Sequence, residues 1–248
     1  MDVVANRRAS PLILEKKFMS IFCLVNGSTQ NPQCWKILAP ELEKHGHEII
    51  TPSLPVDEPK ASGTRYAEVI AQALGDSSDD VVLVGHSASG MFIPLVPGLR
   101  PIRQLVYLAA LIPKPGASIR DQLTTDPDML NPEWVATCRA GNDPSTSDEV
   151  AIEFLFHDCQ PEALSLGMST RMRMYAEKAL TEIFPLKALP DVPSSYIVCS
   201  GDRTISPDWS RRMAHERLGV EAVELPGGHC PYLSRPVQLA DALVRMLE

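Results

Sequence analysis

Val81-Val82-Leu83-Val84-Gly85-His86-Ser87-Ala88-Ser89-Gly90 decides the fold of this chain. Four aliphatic residues in succession read as a strand buried on both faces, which is how strands inside a parallel sheet look. The small residues that follow turn the backbone sharply, and a helix is expected from Ala88 to Val96. A serine on such a turn projects above the sheet, and the residues two before and two after it must be small because strand and helix backbones run close together. Gly85 and Ser89 fill those two places, with Gly90 one step later. Read alone, the string is also compatible with a plain Gly/Ser turn, so its meaning depends on the rest of the chain.

Outward from this strand, short runs rich in Val, Ile and Leu recur at Ile21–Asn26, His47–Thr51, Gln104–Ala109, Ser195–Ser200 and Ala222–Leu225. Segments of helical period alternate with them at Cys34–His45, Ala61–Leu74, Asp208–Leu218 and Pro236–Leu247. That alternation predicts an α/β fold: a mostly parallel sheet of about six strands flanked by helices. The alternation breaks once, between Pro113 and Val192, where prolines cluster at both joints. Residues 113–192 are therefore expected to be an inserted helical lid, residues 19–112 and 193–248 the core, and residues 1–18 an N-terminal extension. Trp134, Phe154, Met168 and Met172 are expected to give the lid an apolar underside that touches substrate.

Composition narrows the partners. A formal net charge of -8 argues against nucleic acid and anionic membrane surfaces, which call for basic patches, and favours a small-molecule substrate. No apolar run approaches the ~20 residues of a membrane span. The six cysteines are scattered without a CxxC pair, which reads as free thiols in a cytoplasmic enzyme. Monomer and homodimer are both compatible with the chain. No cofactor is expected, and no metal: His157-Asp158-Cys159 resembles a ligand cluster, but neighbours on a helix point in different directions and no second cluster supports it. Asp158 is left to face a pocket from the lid.

The chemistry around Ser87 follows from need. A serine hydroxyl is a weak nucleophile at neutral pH, so a histidine must take its proton and a carboxylate must hold that histidine's tautomer. In open α/β sheets such groups come from loops at the carboxyl ends of strands. Asp202 follows the Ser195–Ser200 strand in Gly201-Asp202-Arg203, and His229 follows the Ala222–Leu225 strand in Pro226-Gly227-Gly228-His229. The order Ser87, Asp202, His229 differs from the two main serine-protease orders. His45, His47, His86 and His215 read as surface or packing residues. The oxyanion of an acyl-transfer intermediate needs two backbone N–H donors, expected from Ala88 and from Ser28 in Asn26-Gly27-Ser28.

Together these segments resemble the α/β-hydrolase superfamily, and within it the compact branch of plant methyl-ester hydrolases and hydroxynitrile lyases. The likeness runs over most of Ser20 to Glu248 and rests on Val25-Asn26-Gly27 with Trp35, Gly85-His86-Ser87, Gly201-Asp202, and Gly227-Gly228-His229 leading into Leu233-Ser234-Arg235-Pro236. Two positions depart from it: Asn26 stands where the family usually has histidine, and Ser89 where it usually has glycine. The resemblance implies a serine hydrolase acting on a small carboxylic ester through an acyl-enzyme, and Trp134, Phe154, Met168 and Met172 suggest that the ester is apolar or aromatic. Lyases of the branch use a lysine beside the catalytic histidine and a threonine in the oxyanion loop; the corresponding residues here look like Cys230 and Gly27, which favours hydrolysis. A lyase or cofactor-independent reaction on the same residues, and a non-catalytic ligand binder, are the competing readings.

Overall fold

The computed structural model describes residues 19–77, 80–174 and 177–247. The expected extension over residues 1–18 lies outside them. Six parallel strands form one sheet: β1 (Ile21–Val25), β2 (Glu48–Ile50), β3 (Val81–His86), β4 (Gln104–Leu108), β5 (Ser194–Cys199) and β6 (Val223–Leu225), in the order β2-β1-β3-β4-β5-β6. Every observed strand lies within a residue or two of its expected position. Because all pairings are parallel, every strand delivers its carboxyl end to the same edge.

Alternation along the strands divides the core between two faces. Cys23, Val25, Leu83, Leu105, Tyr107 and Val198 point to one, and Phe22, Leu24, Val82, Val84, Val106 and Ile197 to the other. The first face is covered by α2 (Gly63–Leu74), whose Tyr66, Ala67, Ile70 and Leu74 fall on one helical stripe. The Tyr66 ring stacks on Phe92 with centroids 4.2 Å apart. The second face is covered by α1 (Leu38–Lys44) and a C-terminal helix, Pro236–Arg245, which buries Leu239, Ala240, Ala242 and Leu243. Each such side chain taken from water contributes about 1.5–3 kcal/mol, or less for alanine.

Proline corrects two expected helices. Over Cys34–His45 a 3-10 turn at Pro32–Lys36 precedes α1, because Pro40 has no N–H to give the Lys36 carbonyl. The helix expected at Ala88–Val96 is instead two 3-10 stretches, Ser87–Met91 and Ile93–Gly98. Pro94 and Pro97 there remove the α-helical bonds to Gly90 and Ile93.

Between β4 and β5 the chain forms α3 (Ile119–Thr125), α4 (Pro132–Arg139), α5 (Asp148–Phe154), α6 (Pro161–Ser169) and α7 (Glu177–Thr181). A reciprocal Ser118–Asp121 capping box starts α3, and Ser147 caps α5 by accepting from the Val150 N–H. None of the residues of α4 is buried. After α6 the chain returns to the core, where Met172 and Met174 donate backbone N–H bonds to the Thr29 and Ser28 carbonyls, both at 3.0 Å. After β5 come α8 (Pro207–Met213) and, past β6, α9 (Pro231–Ser234) and the helix Pro236–Arg245, α10. Among the described residues no helix is long and apolar enough to cross a membrane.

Candidate active site

At the carboxyl edge of the sheet, β3 runs straight into Ser87, which adopts φ 55 although it is not glycine. A left-handed residue of this kind costs roughly 1–2 kcal/mol, so neighbours must hold it. The Leu111 N–H does so by donating to the Ser87 carbonyl at 3.0 Å. Gly90 is the position where no side chain fits: a Cβ there would stand 2.0 Å from the Leu111 carbonyl oxygen. Ser89 is tolerated because its buried hydroxyl has a use, donating to the Asn26 carbonyl at the end of β1. The two departures from the resembled pattern therefore meet in space. Asn26 in turn donates through Nδ2 to the carbonyls of Gln30 and Gly27, bracing its own loop.

Asp202 and His229 reach Ser87 from the loops after β5 and β6. His229 Nε2 lies 3.0 Å from Ser87 Oγ, and His229 Nδ1 lies 2.8 Å from Asp202 Oδ2. Asp202 Oδ1 accepts from the N–H groups of Thr204 at 2.7 Å and Ile205 at 3.1 Å, so the carboxylate cannot rotate freely. Since a carboxylate only accepts, Nδ1 of His229 must carry the proton, leaving Nε2 to accept from the serine hydroxyl. Both Asp202 and His229 are buried.

His86 was expected to be surface or packing, and the structure gives it more to do. It is buried against the His229 ring, with centroids 4.7 Å apart, and its Nε2 lies 2.8 Å from the His229 carbonyl. Burial, and secondarily the proximity of His229, pushes its pKa well below the ordinary value, so it is neutral and donates from Nε2. Of the others, His45 pairs with Asp241 at 3.5 Å and His215 with Glu221 at 3.0 Å.

The expected oxyanion donors stand on neighbouring segments, Ser28 in the loop after β1 and Ala88 in the 3-10 stretch Ser87–Met91. A Cβ at Gly27 would stand 2.8 Å from Ser87 Cβ and 2.9 Å from His86 Nδ1, so glycine is required for the approach. No threonine could occupy that position unchanged. Cys230, where the lyases carry lysine, is a buried thiol that accepts from the Tyr232 hydroxyl at 3.3 Å. Burial pushes that thiol well above its usual range, so it offers the site no charge.

A cavity of about 520 Å³ opens beside the Ser28–Thr29 loop, with Trp134, Met172 and Met174 on its wall and the Arg173–Asp143 ion pair, 3.3 Å apart, at its rim. Of the four side chains expected to touch substrate, Trp134 and Met172 line this space. Phe154 stands behind Trp134, ring edge to face at 5.4 Å, and is itself buried. Met168 is not on its wall; it is partly buried against the apolar cluster of the second face, which α6 joins through α9 and α5. Residues 157–159 lie on a turn between α5 and α6 rather than on a helix, and Asp158 faces the loop that precedes His229 rather than a pocket. Among the described residues no group of three or more metal-binding side chains converges.

Comparison with known proteins matches this architecture. An alpha/beta hydrolase of Aspergillus novofumigatus is 27% identical over 242 residues, covering 90% of this chain and 93% of that one. Methylesterase 2 of Arabidopsis thaliana is 27% identical over 258 residues, covering 94% and 98%. The crystal structure of a pyrethroid hydrolase from Sphingobium faniae JZ-2 superimposes with a TM-score of 0.73 over 92% of this chain and 97% of that one; at 21% sequence identity the likeness speaks to the fold. The alpha/beta hydrolase family matches residues 24–242, from within β1 to within α10, and the chain belongs to that family.

Proposed function

We propose that this hydrolase cleaves a small carboxylic ester through an acyl-enzyme on Ser87. The observation that carries the proposal is the continuous relay Ser87 Oγ, His229 Nε2, His229 Nδ1, Asp202 Oδ2, with steps of 3.0 and 2.8 Å. In the forward step Ser87 Oγ bonds to the ester carbonyl carbon and its proton passes to His229 Nε2. The Ser28 and Ala88 N–H groups hold the resulting oxyanion, a contribution of about 10²–10³ in rate per donor. The C–O bond to the alcohol breaks, and His229 gives its proton to the leaving oxygen. Water then adds to the acyl carbon with His229 as base, and the acid departs as Ser87 recovers its proton.

The names of the relatives, an Arabidopsis methylesterase among them, support ester hydrolysis as the reaction class. Trp134, Met172 and Met174 favour an apolar or aromatic substrate of modest size. A small-molecule substrate, no bound cofactor or metal, and no nucleic-acid or membrane partner complete the reading. A cytoplasmic location, expected from the scattered spacing of the six cysteines, belongs to the same proposal.

A fluorophosphonate probe followed by peptide mass spectrometry tests the proposal. The expected result is one adduct, on Ser87, and a loss on the order of 10⁶-fold in kcat for Ser87→Ala. No Ser87 adduct, or an active Ser87→Ala, would overturn it. A panel of p-nitrophenyl and naphthyl esters of graded length then reports the substrate class.

A further inference from the structure

Two residues of the turn between α5 and α6 touch both loops that carry the proposed acid and base. His157 Nε2 lies 3.1 Å from the carbonyl of Gly201, the residue before Asp202. Asp158 Oδ2 accepts from the N–H of Gly228, the residue before His229, at 2.9 Å. The same two loops are joined directly by the Gly201 N–H, which donates to the Gly227 carbonyl at 2.9 Å. The turn thus closes a ring of hydrogen bonds behind the Asp202–His229 pair.

Packing shows how closely the parts are fitted. A Cβ at Gly228 would stand 2.6 Å from His157 Nε2 and 2.9 Å from Asp158 Oδ1; one at Gly227 would stand 2.6 Å from Asp158 Oδ2. Gly227 takes φ +112, a conformation that favours glycine, and a Cβ at either position would displace the His157 and Asp158 side chains from the loop before His229. Asp158 is itself mostly buried, and its remaining near partner is Arg235, with Nη2 3.6 Å from Oδ2. A carboxylate drawn out of water in this way is costly unless its hydrogen bond and its neighbouring cation hold it.

We propose that His157 and Asp158 are positioning residues, which set the register of Asp202 against His229 from outside the triad. The inference rests on the serine-hydrolase reading above. Neither residue exchanges a proton with substrate; each fixes one peptide group adjoining a triad member. Displacement of a reacting group by about 1 Å can cost about 100-fold in rate, so the arrangement carries kinetic weight without touching the reacting atoms.

The test uses the full chain with Asp158→Ala, Asp158→Asn and His157→Ala, each checked by circular dichroism and thermal melting. Steady-state turnover of p-nitrophenyl butyrate and the rate of fluorophosphonate labelling are measured side by side. In Asp158→Ala, kcat and labelling rate should both fall about 10- to 100-fold while KM stays within about twofold. Asp158→Asn keeps an acceptor for the Gly228 N–H and should recover to within about fivefold of the parent, a charge-assisted bond being replaced by a neutral one. His157→Ala should lower kcat in the same sense. If Asp158→Ala does not fold, the asparagine and His157 variants carry the comparison. Wild-type labelling in the folded variants, or losses confined to KM, would overturn the proposal. Failure of the unsubstituted protein to label would instead overturn the Ser87 reading, before any variant is compared.

Discussion

Replacing Ser89 with alanine removes one hydroxyl and leaves its Cβ, so the perturbation is confined to the bond from Ser89 Oγ to the Asn26 carbonyl. Ser89 is fully buried, and water cannot readily take the hydroxyl's place. A buried acceptor deprived of its partner costs about 1–3 kcal/mol. For a chain of this length each kcal/mol moves Tm by about 2–4 °C, so Tm should fall by about 4–8 °C for a mid-range loss of about 2 kcal/mol. The kinetic effect comes from what Asn26 carries. It begins the loop that brings Ser28 to the proposed oxyanion, and a whole donor is worth about 10²–10³ in rate. Loosening that loop without removing the donor should cost about a tenth to a third of that on a logarithmic scale, or roughly 2- to 10-fold in kcat, with KM little changed. Differential scanning calorimetry and p-nitrophenyl ester kinetics measure both quantities on one preparation. A lowered Tm with unchanged kcat would refute a catalytic part for the Asn26–Ser28 loop; no change in either would refute the hydrogen bond.

Gly90→Ala places a methyl group 2.0 Å from the Leu111 carbonyl oxygen, a backbone atom that cannot rotate away. Overpacking of this kind costs about 1–3 kcal/mol or more; a sharply reduced Tm and weak fluorophosphonate labelling are expected, and a wild-type melt would sink the argument. His86 is neutral in the folded chain because burial lowers its pKa well below the ordinary 6.5, whereas the unfolded chain protonates it below that value. Its contribution is thus present above about pH 6.5 and lost as pH falls, at up to about 1.4 kcal/mol per unit. Melts at about pH 7.5 and about pH 5.5 should show a smaller pH dependence in His86→Gln than in the parent, and equal slopes would contradict this assignment.

The sheet was legible in the sequence because its central strands β1, β3 and β4 are apolar runs buried throughout, while the edge strands β2 and β6, with Glu48 and Glu224 and partial exposure, were marked by their place in the alternation with helices. Ser87, Asp202 and His229 could be grouped from the sequence because each follows a strand, and the structure brings the three within hydrogen-bond distance. What escaped reading depends on contacts between distant residues. His157 and Gly201 are 44 positions apart and Asp158 and Gly228 70 apart, and no local period announces either contact. The Gly227–Gly228 pair was a trace of that packing, visible as a motif but without its reason. The break of the Ala88–Val96 helix was written in Pro94 and Pro97, whose missing N–H groups outweigh the apolar pattern that suggested a continuous helix. Met168 misled because a methionine on a helix of mixed polarity gives no sign of which neighbour its face meets.

The bracing of the site separates two properties that one loop insertion could have tied together. The segment between β4 and β5 grips the carboxyl edge of the sheet at two places: residues 157–158 behind the Asp202–His229 pair, and Met172 and Met174 along the Ser28–Thr29 loop. Between those grips stands α4, which buries none of its residues yet supplies Trp134 to the cavity wall. A helix without buried side chains can change sequence at little cost to stability, because surface substitutions are usually within about ±0.5 kcal/mol. The grip at residues 157–158 is less free, because His157 and Asp158 lie against Gly227 and Gly228, whereas Met172 and Met174 hold the Ser28–Thr29 loop through backbone N–H groups and leave their side chains open to change. If the cavity beside Ser28–Thr29 receives the ester proposed above, exchanges on α4 should alter ester preference while the distances among Ser87, His229 and Asp202 stay as they are; the ester profile of Trp134→Ala set against its rate of fluorophosphonate labelling checks this.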